Sequence, residues 1–293
     1  SVINLKKKCA LLTMDDLSNF ECYDNLIISP LREFGWDCDF VSWESRNIDW
    51  DQYKSVIIRS TWNYQEKFEN FIKVLSEIDT SSAFLYNSID IVKWNINKQY
   101  LNDLEEKKIE IVPSMFYMNF NSKEIYELFS SFNSKKLIIK PCISANADFT
   151  YILDQNSFND IIDTLKVFFK KREFIIQPFI ENIKFEGEYS LIFFGNKLSH
   201  ALLKTPKNGD FRVQEEHGGI LKSIINPEID LIKFGERVIK NLPEPCLYCR
   251  VDIVKHNNKF LLMEVELIEP SLYFNMDSKS SSRFAKVFNN WDS

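Results

Sequence analysis

Four charged residues near the C-terminal end have the types and the spacing to hold a cation. Arg250 and Asp252 are one residue apart, and so are Glu264 and Glu266. Each pair sits in a β-branched or apolar run, read as strands over 247–254 and 260–268, around a turn at His256-Asn-Asn258. Side chains alternate faces along a strand, so each pair shares one face. A turn centred on Asn257-Asn258 sets Asp252 roughly opposite Glu264. Three carboxylates that close repel one another unless a cation or a proton lies between them. Oxygen donors suit Mg2+, which is held by one or two carboxylates together with substrate phosphates. The expectation is a Mg2+–nucleotide site, with a solvated edge hairpin as the alternative.

The rest of the chain must position these groups. Over the first ninety residues, short apolar strands at 9–13, 38–43, 55–59 and 84–86 alternate with helical patterns at 23–34 and 68–78. Such alternation implies a parallel sheet with crossover helices, and these sheets take ligands at the C-terminal ends of their strands. Two loops there are chemically rich, Asp15-Asp16 and Arg59-Ser-Thr-Trp62-Asn63-Tyr64. Arg59 fits a bidentate pair with a substrate carboxylate, and Trp62 or Tyr64 would cover the substrate from water. Pairing of Arg59 with a protein carboxylate, to hold the loop, is the alternative.

From 91 to 183 a helix carries Lys98, Tyr100, Leu101 and Leu104, and a second starts at Ser122. A buried strand ends in Lys140-Pro141, Ser157 with Asp160 reads as a helix cap, and 174–178 is a further strand. After Gly187 the pattern turns antiparallel, with a hairpin around Gly195-Asn196 whose first turn residue is Gly. A polar loop over 205–219 follows, then a helix over 229–242 and the acidic hairpin. The segment 278–282 reads as a polar loop before a last helical turn.

A chain of 293 residues allows two or three subdomains. Its net charge of −6 argues against a nucleic-acid partner, and no apolar run has the length of a membrane span. Six scattered cysteines fit buried, reduced thiols and hence the cytoplasm. Cys246-x-x-Cys249 has zinc-knuckle spacing but lacks a second pair.

In this order the residues resemble the ATP-grasp superfamily. The resemblance is to its bacterial glutathione synthetase and ribosomal-protein glutamate ligase branch and to the D-cycloserine-forming ligases. It runs the length of the chain and is strongest from Lys140 onward. It implies an α/β (α+β) fold with a substrate domain at 1–90 and two ATP-binding subdomains at 91–183 and 184–293. Lys98 and Lys140 would hold the nucleotide phosphates, beside the loop containing Ser144. Gln177, Phe179 and Ile180 would form the adenine hinge, and Glu188 would take the ribose hydroxyls. Lys204 and Arg212 belong to a loop that resembles the one closing over the reacting phosphoryl group. Asp252, Glu264 and Glu266 match the Mg2+ ligands, with Mn2+ as a substitute, and Arg250 would stabilise an oxyanion. Asp16, Arg59 and Trp62 are the substrate candidates.

The implied reaction joins a carboxylate and an amine of small amino-acid-like molecules through an acyl phosphate, releasing ADP, in a monomer or homodimer. A ring-closing version and a nucleotide-binding protein without turnover are the alternatives. The second is motivated by a departure from the family pattern, since the loop after Lys140 contains no Gly. Its Asp148 is expected to turn away from phosphate. In a second departure, Glu266 stands where the family often has Asn.

Overall fold

The computed structural model describes residues 7–144 and 149–291. The segment 145–148, with Asp148, lies outside the described residues. Three sheets follow one another along the chain. The first joins β1 (Lys7–Thr13), β2 (Trp36–Ser42), β3 (Ser55–Ile58) and β4 (Phe84–Tyr86), all parallel, in the order β2-β1-β3-β4. The second is antiparallel, with β5 (Met115–Tyr117), β6 (Lys136–Pro141), β7 (Tyr151–Asp154) and β8 (Phe174–Pro178) in the order β5-β8-β6-β7. The third holds β9 (Glu188–Phe194), β10 (Lys197–Thr205), β11 (Ile220–Ile224), β12 (Tyr248–His256) and β13 (Lys259–Glu266), in the order β11-β10-β9-β12-β13. This α/β architecture is the expected one. No helix among the described residues is long and apolar enough to cross a membrane.

The third sheet carries the charged hairpin. On one face Leu191, Phe193, Val251, Ile253 and Val265 pack against Leu231, Phe234 and Val238 of the helix Ile229–Lys240. Gly235 lets that helix close in, since a Cβ there would lie 2.6 Å from Leu191 Cδ1. The outer edge of β13 is covered rather than left open, as buried edges require. Leu262 exchanges backbone hydrogen bonds with Glu110 and Val112, Asn95 bonds the main chain of Val265 and Leu267, and Val265 N–H donates to Tyr100 Oη. This covering segment also sets Lys98, whose N–H donates to the Cys142 carbonyl at the end of β6.

Several local expectations are corrected. Lys98 sits in the break between the helices Ile89–Asn95 and Tyr100–Glu106. Ser157 makes no capping bond; Asp154 accepts from the Asn156 N–H and caps the turn before the helix instead. The 205–219 loop runs into the unforeseen edge strand β11. The last helix is Ser280–Asn290, because Phe284, Ala285 and Phe288 bury one stripe on β9 and the first sheet's flank. A serine-rich first turn disguised that stripe.

Candidate active site

The face of the third sheet opposite the helix gathers the charges, and two extra residues make this so. Counting back from the turn, His256 faces Lys259 and Ile253 faces Leu262, but Asp252 faces Glu264 and Arg250 faces Glu266. Met263 is the unpaired residue of a β-bulge. The other hairpin repeats the device. Leu198 faces Phe193, whereas His200 faces Ile192 and Lys204 faces Glu188, with Ser199 as the extra residue. A side-chain period of two means that each bulge moves every later residue to the other face. Glu188, Lys204, Arg250, Asp252, Glu264 and Glu266 thereby share one surface.

The carboxylates of Asp252, Glu264 and Glu266 each offer an oxygen within 4.8 Å of the others. Arg250 grips Asp252 with Nε and Nη2, both at 3.1 Å, reaches Glu266 at 2.5 Å, and donates to the Ser271 carbonyl. Lys204 Nζ lies 3.5 Å from Asp252, and Ser190 donates to the same carboxylate at 2.6 Å. Lys98 and Lys140 both contact Glu264, at 3.3 and 3.4 Å. Burial opposes ionisation of Glu264, but Lys98 and Lys140 outweigh it and hold the group well below the usual carboxylate range. Burial wins for Glu188 and Glu266, each pushed up to about 7. Burial also lowers Lys140, whereas Asp252 and Glu188 overcome it and raise Lys204.

A cleft opens over this surface, with about 100 Å³ of space inside it. Lys98, Lys140, Ser144, Gln177, Phe179, Ile180, Glu188, Arg212, Arg250, Asp252, Glu264 and Glu266 all border it. The 205–219 loop forms its lid. Phe211 meets Phe179 edge-on at 6.4 Å, and Gly219 packs so tightly that a Cβ would lie 1.9 Å from the Val213 carbonyl oxygen. Arg212 forms a bidentate pair with Asp210 of its own loop, and Asp210 is held down at about 2.

Residues 9–87 match the family model for the N-terminal domain of D-cycloserine synthetase DcsG. The cycloserine biosynthesis protein DcsG of Streptomyces lavendulae is 21% identical over 285 residues, covering 89% of this chain and 91% of that one. The crystal structure of D-cycloserine synthetase DcsG superposes with a TM-score of 0.86 at 20% identity, over 97% of this chain and 99% of the other. The chain has the ATP-grasp fold. A D-alanine–D-alanine ligase from Bacillus anthracis shares that fold, with a TM-score of 0.69 at 14% identity, over 97% of this chain and 96% of the ligase.

Within the ATP-grasp frame a second cavity, of about 20 Å³, adjoins the cleft and shares Gln214, Arg250 and Glu266 with it. Trp62, Glu269, Ser271 and Tyr273 complete much of its wall. Of the three substrate candidates, Trp62 alone lines it, its indole N–H donating to the Glu269 carbonyl at 2.8 Å. Arg59 does not reach either cavity. It is fully buried, with Nε on Asp24 at 3.1 Å and further bonds to the Ile58 and Pro270 carbonyls. The expectation of a substrate contact is thus corrected to its alternative, a brace that holds the loop. Asp16 is exposed on its loop, accepts from the Ser18 N–H and borders neither cavity.

Sequence reading missed Ser190, Met263, Ile138 and Ile183 around the cleft, and Glu269 and Tyr273 beside it. Ser190 was recoverable from its two-residue spacing after Glu188. The apolar liners carried no distinguishing signal, since they read as ordinary core. Cys246 and Cys249 are buried, and burial pushes Cys246 up to about 12 and also raises Cys249, as inert core thiols require.

Proposed function

We propose that the protein is an ATP-dependent carboxylate–amine ligase acting through an acyl phosphate. The observation that carries this reading is the charge balance of the cleft. Lys98, Lys140, Lys204 and Arg250 face Glu188, Asp252, Glu264 and Glu266 across one surface. A balanced site of this kind rejects a bare polyphosphate and accepts one neutralised by divalent cations. The three clustered carboxylates supply the hard oxygen donors that Mg2+ or Mn2+ needs, and their spacing fits a shared ion. When bound, Mg2+ would neutralise charge on the polyphosphate.

Lys98 and Lys140, at the cleft's inner wall, hold the phosphates. Gln177, Phe179 and Ile180 flank the base, Ser144 borders the phosphate end, and Glu188 is assigned to the ribose. A carboxylate oxygen of the substrate attacks the terminal phosphorus and ADP leaves. The amine then attacks the acyl carbon, loses a proton and expels phosphate. Arg250, reaching both cavities, stabilises the oxyanion formed at that carbon. Lys204 sustains the charge of Asp252, and Arg212 exchanges Asp210 for phosphate as the lid closes. The likeness of residues 9–87 to the D-cycloserine synthetase domain favours the ring-closing version, in which one molecule supplies both groups. The reduced cysteines fit a cytoplasmic setting.

The test is ADP release from ATP and Mg2+ across a panel of amino acids, with product masses read in parallel. Release that needs one organic substrate and yields its dehydrated mass supports ring closure, whereas two joined masses support intermolecular ligation. Mg2+-dependent ATP binding with no organic substrate ever raising ADP release would leave the binding-only reading.

A further inference from the structure

We infer that the second cavity is a receptor for a protonated nitrogen of the substrate, with Glu269 as its anchoring carboxylate. This rests on the ligase reading above and adds the substrate's charge. Glu269 is 8% exposed. It lines the cavity, and its Oε2 is buried with no hydrogen-bond partner among the described residues. The buried Tyr64 hydroxyl also favours its ionised form. A buried carboxylate oxygen left bare is costly, so a donor is expected to fill the space in front of it.

The surroundings select a cation. Glu215, Glu216, Glu266 and Glu269 border the cavity against the single guanidinium of Arg250. That guanidinium is committed to Asp252, Glu266 and the Ser271 carbonyl. Glu215 also accepts from Tyr23 at 2.7 Å. The wall includes Trp62 and Tyr273, and aromatic rings favour an organic cation over a hydrated metal ion. Glu269 also stands outside the set of carboxylates close enough to share a metal.

The cavity lies against the cleft, with Gln214, Arg250 and Glu266 lining both. One molecule can therefore place the carboxylate to be activated near Arg250 and its ammonium at Glu269. The substrate class is a zwitterion, an amino acid or a close derivative with a free amine.

The experiment uses the whole chain with ATP and Mg2+. Amino acids of both configurations are compared with their 2-hydroxy and N-acetyl counterparts, by ADP release and by the shift in melting temperature. The expected result is a response confined to members with a free amine. Glu269→Gln should weaken that response on the order of tenfold or more in KM, with ATP affinity unchanged. The wild-type panel decides the matter even if the variant folds poorly. Equal responses to hydroxy and amino acids, an unaltered KM in Glu269→Gln, or a silent panel would each overturn the inference. Failure of ATP to bind with Mg2+ would instead remove the ligase reading on which it stands.

Discussion

Arg59 and Arg250 are near-duplicates in their surroundings and opposites in their roles. Both are buried, both pair with an aspartate, both donate to a main-chain carbonyl, and both lie over a tyrosine ring, at 4.9 Å for Tyr248 and 5.6 Å for Tyr273. At Arg59 one carboxylate answers one guanidinium and the space is closed. At Arg250 two carboxylates compete for the cation, a third stands close by, and two cavities open beside it. A buried arginine is therefore no sign of a site by itself. An excess of carboxylate beside open volume is.

The sharpest way to break this contrast is Asp252→Asn. It removes a metal donor and leaves Lys204 and Arg250 with less negative charge, so Mg2+-dependent ADP release should fall by on the order of a thousandfold. Retention of wild-type turnover would mean that the acidic hairpin holds no metal. Arg59→Lys should act on the fold instead. Lysine cannot reproduce the planar contacts to Asp24 and Pro270, and the loss should be on the order of 3 kcal/mol in denaturant melts. Its KM values should stay unchanged; a raised KM without lost stability would restore Arg59 as a substrate contact.

Effects of intermediate size come from pH. Burial first, and the charge of Glu266 second, push Glu269 up to about 8 from an ordinary 4.5. The ligand-free folded state thus favours its neutral form, and an ammonium bound at Oε2 would draw it back to the carboxylate. That contribution is complete below pH 4.5 and is lost as pH rises through 8, with a slope near 1 kcal/mol per unit between them. Melting of the ligand-free protein from about pH 5.5 to 8.5 should show this decline. Glu269→Gln should make it shallower, most of all above pH 7, where Glu188 and Glu266 no longer contribute. A parallel slope in the variant would place the titration elsewhere. The smallest effect is expected from Lys98→Ala, because Lys140 contacts the same carboxylate. Calorimetry should show about tenfold weaker ATP binding with Mg2+.

Much of this was readable from the sequence, and the reasons differ by region. The acidic hairpin was legible because strand periodicity and charge act together. Asn257 and Asn258 take φ of 50° and 61°, values that asparagine tolerates better than most residues, so the turn was legible too. That Lys98, Lys140, Gln177, Phe179 and Ile180 border one cleft was legible through the ATP-grasp resemblance. Arg59 misled because a strand end names a place where ligands bind, not whether the place is open. Glu269 was missed because nothing in its local sequence tells a buried carboxylate facing a cavity from one facing solvent. The helix Ser280–Asn290 was missed because tertiary packing, not its first residues, stabilises it.

The bulge at Met263 makes the chemistry depend on counting as well as on residue type. If the hairpin zipped in unbroken register from its turn with Met263 retained, Met263 itself would face Asp252. Glu264 and Glu266 would then lie opposite Val251 and Cys249, on the apolar face against the helix Ile229–Lys240. A chain so paired would keep every charged residue discussed here and have no site. A relative that lacks the extra residue would set the same carboxylates opposite Asp252 and Arg250 without a bulge, so bulge and residue count must be read together.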